Sequence, residues 1–166
     1  MTTHMRTLLS LVIACGLAAS LCSPAGAKDS LRWTLDKKDG QPNLTGMSTE
    51  EEADTEFWAL CKGGGQAEIG VGANSIVGKG DGATVSLTLK SADRAATLKG
   101  NSRNSENSEM TGGTELHAQV KLDDPLFAVL ATGKPVTVAG DIETPGTWPV
   151  SGLKAKVAAF LAACKK

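Results

Sequence analysis

Tyrosine is missing from the chain, and the aromatic complement is three Trp and three Phe in 166 residues. So small a set leaves little for the exposed aromatic rows on which sugars and single-stranded nucleic acids stack. A surplus of either charge is missing too: 17 Lys and Arg stand against 18 Asp and Glu, a formal net charge of −1. Phosphate backbones are held by a clustered basic excess, so nucleic acid is excluded as the main partner. The length excludes a large multidomain enzyme, since roughly 150 residues is the usual scale of one domain. No C-x-x-C pair, G-x-S-x-G elbow or G-x-x-x-x-G-K-[ST] loop occurs. Their absence removes the signatures of a dithiol redox centre, a hydrolase nucleophile elbow and a phosphate loop. What is present, 41% hydrophobic and 21% charged residues, describes a globular chain and not a disordered one.

Residues 1–27 read as a secretory signal peptide. Arg6 supplies a short positive region, Leu8 to Ala19 an apolar run, and Ser23-Pro24 a break before the small-residue site Ala25-Gly26-Ala27. Met5, directly before Arg6, is an alternative start. The apolar run is short of the about 20 residues that a bilayer-spanning helix needs, so cleavage near Ala27 is expected, with no membrane span afterwards. A lipoprotein variant is the alternative, because Val12-Ile13-Ala14-Cys15 resembles a lipobox. Cleavage after Ala27 leaves residues 28–166 as a single β-rich domain. Only Arg6 among the charged residues leaves with the leader. The expected destination is the periplasm of a Gram-negative bacterium, or secretion.

Of the four cysteines, Cys15 and Cys22 lie in the leader, so Cys61 and Cys164 remain. Two cysteines in an oxidising compartment have one intramolecular pairing, and a Cys61–Cys164 disulfide is expected. It would close a loop of about 100 residues, worth on the order of 4–5 kcal/mol in the chain-entropy model. Two cysteines so far apart lack the spacing of a zinc site.

Short β-like runs alternate with Gly, Asn, Asp and Pro breaks, which predicts an antiparallel β domain. Strands are expected at Leu31–Leu35, Asn43–Thr45, Phe57–Cys61, Ala67–Val71, Thr84–Lys90, Ala95–Lys99, Thr114–Leu122 and Val136–Val138. In Thr114–Leu122, alternation turns Leu116, Ala118, Val120 and Leu122 inward and Glu115, His117, Gln119 and Lys121 outward. Asn101–Gly113, with Asn-Ser at 101, 104 and 107, reads as a mobile hairpin loop. Asp124-Pro125 opens a short helix that ends before Gly133. A second helix runs from about Ser151 to Cys164, with Leu153, Val157, Phe160, Leu161 and Cys164 on one buried stripe. The fold class is therefore mainly β: an antiparallel β-sandwich or partly open barrel with a short helix and a C-terminal helix packed on the sheet.

The chemistry-bearing candidates are few. Gly70-x-Gly72 and Gly78-Lys79-Gly80-Asp81-Gly82 are read as turn glycines, because neither opens a helix that could hold an anion. Neither Asp36, Asp39 and Gly40 nor Asp81 and Gly82 have the spacing of a calcium loop. Glu50, Glu51, Glu52, Asp54 and Glu56 read as a solvated acidic loop, with a possible capping box at Ser48 with Glu51 or Thr49 with Glu52. His117 is the one histidine outside the leader, so any histidine-based hydrolysis has to use it. A protein-only zinc site would need carboxylates gathered round that histidine. Trp33 and Trp58 have two readings, core packing or a ligand platform on one sheet. Trp148 is expected beneath the last helix.

From Asp124 to Cys164 the pattern is D-P-L-x-x-x-L-x-x-G, V-x-V, a Gly-Trp turn, then S-G-L-x-x-x-V-x-x-F-L-x-x-C. It resembles the ending of small exported proteobacterial proteins, mostly uncharacterised. Similar endings occur in periplasmic accessory proteins, some associated with type VI secretion. The Trp33 and Phe57–Cys61 strands are similar to the opening of the same group. The resemblance covers about half of the chain after the leader. It implies a periplasmic β domain with a terminal helix and a disulfide, and it brings no catalytic residues.

The function expected is a non-enzymatic periplasmic binding or accessory protein, with an unknown protein or small molecule as partner. A hydrolase with an unrecognised site is one alternative. An inhibitor of an exported protease, presented on Asn101–Gly113, is another. No catalytic, cofactor-binding or metal-ligating residue and no cofactor is assigned. Mass spectrometry of the exported protein should find Lys28 at the mature N-terminus; a diacylated Cys15 would overturn the cleavage site.

Overall fold

The computed structural model describes residues 31–49, 55–72, 75–105 and 112–165. The expected leader, most of the acidic cluster with its expected capping boxes, and the middle of the Asn-Ser loop lie outside the described residues. Nine strands form one antiparallel sheet in the order β1-β2-β3-β4-β7-β6-β5-β8-β9. They are β1 (Leu31–Lys38), β2 (Gln41–Ser48), β3 (Thr55–Gly63), β4 (Gln66–Val71), β5 (Asp81–Ser91), β6 (Arg94–Asn104), β7 (Thr114–Lys121), β8 (Val136–Gly140) and β9 (Gly146–Trp148). Among the described residues there are two helices, α1 (Pro125–Leu130) and α2 (Leu153–Cys164).

Alternation explains why this sheet curls into a nearly closed, barrel-like form. Residues opposite each other in antiparallel strands share a face. The register aligns Trp33, Gly46, Phe57, Val71 and Leu116 across β1, β2, β3, β4 and β7. Leu98, Leu87 and Gly140 align likewise across β6, β5 and β8. One face is thus predominantly apolar, and its apolar residues form a single core cluster with those of both helices. Curling lets that face bury itself. The two ends of the sheet meet through aromatic rings. Trp148 lies 6.1 Å from Trp33 and 5.8 Å from Phe57 between ring centroids, and Trp33 Nε1–H donates to Pro149 O at 2.8 Å. Trp148 therefore closes the seam.

Both helices lie on the apolar side. In α1, Asp124 caps the first turn by accepting from Leu126 N–H at 2.8 Å, Pro125 stands first, and Leu126, Phe127, Val129 and Leu130 are buried against β5 and β6. In α2, Leu153, Val157 and Phe160 are buried against β1 and β2, and Phe160 meets Phe127 at 5.9 Å. Cys61, on the inward side of β3, is bonded to Cys164 in the last turn of α2, with Cα atoms 5.7 Å apart and a sequence separation of 103.

The strands extend beyond their expected bounds, because polar residues continue the ladders. Lys38 pairs with Gln41 across the two-residue Asp39-Gly40 turn, where φ is 52° and 79°. Asn101 to Asn104, expected in a loop, belong to β6 and pair with His117 to Thr114. Ser102 is fully buried there. Its hydroxyl donates to Val77 O and accepts from Gly80 N–H at 2.7 Å, which pins the β4–β5 crossover to the sheet. Glu56 also departs from expectation: it is the extra residue of a bulge between β2 and β3, and it is buried rather than solvated.

Removing either sulfur frees the last turn of α2. Cys61→Ala and Cys164→Ala should each cost a similar amount, about 2–5 kcal/mol in denaturant titrations, and the double variant should add little.

Candidate functional site

The opposite, outward face of the sheet carries an unusual feature: a carboxylate that is almost wholly buried. Glu115 on β7 is 3% exposed. Burial of a charge is tolerated when hydrogen bonds replace water, and both oxygens here are engaged. Oε2 accepts from Trp58 Nε1–H at 3.2 Å, and Oε1 lies 2.6 Å from His117 Nε2. A carboxylate only accepts, so the second contact places a proton on Nε2.

Alternation and register assemble this group. Glu115 and His117 are two apart on β7 and so share a face. His117 stands opposite Gly70 on β4, and Gly70 stands opposite Trp58 on β3. The indole lies across Gly70, where any Cβ would overlap it. With the glycine between them, Trp58 meets His117 edge to face, 5.2 Å between centroids. Gly70, which falls both within the expected strand Ala67–Val71 and in a glycine pair read as a turn, is thus a strand residue that makes room for the indole. Gly78 and Gly80, with φ of 66° and 70°, are turn glycines in the crossover.

The remaining ring nitrogen faces Glu68. His117 Nδ1 lies 3.9 Å from Glu68 Oε1, is buried and has no hydrogen-bond partner among the described residues. Glu68 Oε2 pairs with Lys62 Nζ at 3.1 Å. Lys62, Glu68, Asn101, Arg103, His117 and Gln119 line a groove of about 380 Å³. Its cause is a fork in the sheet. β6 is hydrogen-bonded to β7 only from Asn101 to Asn104, while its earlier residues pair with β5 and contact α1. At the fork the β6 backbone comes so close to the His117 carbonyl that only a glycine, Gly100, fits.

His117 lies on the outward face, where alternation places it. Carboxylates do gather round it, but Glu115 and Glu68 meet opposite ring nitrogens, so they do not point at a common ion. Among the described residues no three His, Cys, Asp or Glu are placed to hold a metal. Trp33 and Trp58 do not share a face: Trp33 is 4% exposed in the core and Trp58 is half-buried outside. Glu68, Lys62, Asn101 and Arg103 escaped sequence reasoning. The pairing of β4 with β7 and of β7 with β6 brings them together. The one available signal was the shared parity of Glu68 and Gly70 on β4.

No protein-family model, curated protein or solved structure matches the chain, so the groove is judged on its own chemistry.

Gly70→Ala should force Trp58 off Glu115 and cost roughly 1–3 kcal/mol, the range of overpacked sites. In a Trp58→Ala background the same change should cost little. Equal costs in both backgrounds, measured by chemical denaturation, would mean that the indole does not need the space above Gly70.

Proposed function

We propose that this chain is an exported, non-enzymatic binding or accessory module of the periplasm, and that it meets its ligand at the outward groove between β4, β7 and β6. The observation that carries this reading is the groove's position. The concave side of the sheet is filled by the core and two helices, so the recognition chemistry lies outside, where cationic, anionic and amide side chains converge on one half-buried histidine. A pocket of that size is in the range that holds small ligands. The disulfide supports export, since such bonds persist in oxidising compartments. Among the described residues no helix is long and apolar enough to cross a membrane.

The hydrolase alternative draws on one contact. A carboxylate that orients an imidazole, as Glu115 does with His117, is half of a nucleophile-activating arrangement. Among the described residues the other half is missing, because Nδ1 is buried and bonds to no described hydroxyl or thiol.

Nitrogen–proton correlation spectra of the mature protein, with and without the low-molecular-mass fraction of a periplasmic extract, test the binding reading. Shifts should gather at the amides of Glu68, Asn101, Arg103, His117 and Gln119. Shifts gathered at β1 and β9 instead, or none, would overturn it.

A further inference from the structure

We infer that the groove at the β6–β7 fork recognises a small monocarboxylate, with Arg103 holding the carboxylate and Asn101 and Gln119 meeting its hydroxyl or amide groups. This rests on the groove being the ligand surface.

Arg103 is the group that points to an acid. In register it stands between two carboxylates, opposite Glu115 on β7 and Asp81 on β5. Neither pairs with it. Glu115 spends its oxygens on Trp58 and His117, and Asp81 Oδ1 accepts from Ala83 N–H at 3.0 Å. Arg103 is exposed and makes no ion pair with any described residue. A guanidinium offers a planar fork of donors that matches a carboxylate in two parallel hydrogen bonds. Lys62, the other cation of the groove, is already paired with Glu68.

The neighbouring charges set the valence. Lys62 and Arg103 are balanced by Glu68 and the buried Glu115, so these four groups carry no net formal charge. One negative charge on the ligand meets Arg103. A second would lie close to Glu68 or Glu115 and be repelled. This disfavours phosphate and other multiply charged anions.

The polar remainder is read by amides. Asn101 Nδ2–H donates to Gly82 O at 2.8 Å, which orients the side chain and leaves Oδ1 as an acceptor. Gln119 is exposed at the opposite wall. A sugar acid and the free carboxylate of a short peptide both present this chemistry, and about 380 Å³ suits either.

Titration of the labelled mature protein with glucuronate and with N-acetyl-dialanine tests the inference, with glucose, N-acetyl-dialanine amide and inorganic phosphate as counterparts. At least one acid should shift the Arg103 side-chain Nε–Hε resonance and the groove amides. Its neutral counterpart should bind about tenfold more weakly or less, and phosphate should not displace it. Preference between the two acids identifies the source of the carboxylate. Arg103→Gln should weaken binding by about tenfold or more, the loss of a charge-assisted bidentate contact. Arg103→Lys should recover part of it, because charge returns without the fork. The inference is overturned if neutral probes bind as well as acids, if Arg103→Gln binds unchanged, or if neither acid shifts the groove. When neither acid binds but the periplasmic fraction still shifts the groove, only the ligand class falls. When the fraction is silent there too, the groove itself is wrong.

Discussion

One apolar face, continuous across nine strands, governs this protein. A sheet that is greasy on one side has to cover that side, and here it does so by curling and by drawing two helices onto itself. The cover comes from the end of the chain, so it must be held at a distance in sequence from the strands it protects. The Cys61–Cys164 bond does this. It joins the inward side of β3 to the last turn of α2 and keeps Leu153, Val157 and Phe160 seated on β1 and β2. The seam between the first and last strands is closed by softer means, the Trp33, Phe57 and Trp148 rings and one indole hydrogen bond.

With the inside committed to packing, polar organisation is left to the outside. The Glu115 carboxylate is the centre of that organisation. Its burial is sustained by Trp58 and His117, and its engagement with them leaves Arg103 without the cross-strand partner that register would provide. A hydrogen-bonding choice at one carboxylate thus leaves the guanidinium at the next strand without an ion pair among the described residues. The fork at Gly100 then opens a groove beside it, because β6 turns from β7 toward α1.

Much of the scaffold is legible in the sequence. The alternation of Thr84–Lys90 and Thr114–Leu122, the Asp124-Pro125 helix start and the buried stripe of the last helix follow from period, capping and spacing, all properties of neighbouring residues. The disulfide followed from counting. The extension of β6 through Asn101–Asn104 was not legible, because a polar strand paired on both sides has no local hydrophobic signature. Glu56 was misread for a similar reason: among acidic neighbours, nothing local reveals a bulge that turns one of them inward.

The amino-acid sequence by itself determined the strand periods, the two described helices, the outward direction of His117 and, given the expected loss of residues 1–27, the cysteine pairing, since each depends on residues close in the chain or on composition. Only the tertiary structure decided that β4 lies beside β7 and β7 beside β6. That ordering places Glu68, Gly70 and Arg103 around Glu115 and His117, residues up to 49 positions apart in the chain. Strand order is set by how the whole apolar face is closed, a collective property that no local pattern encodes.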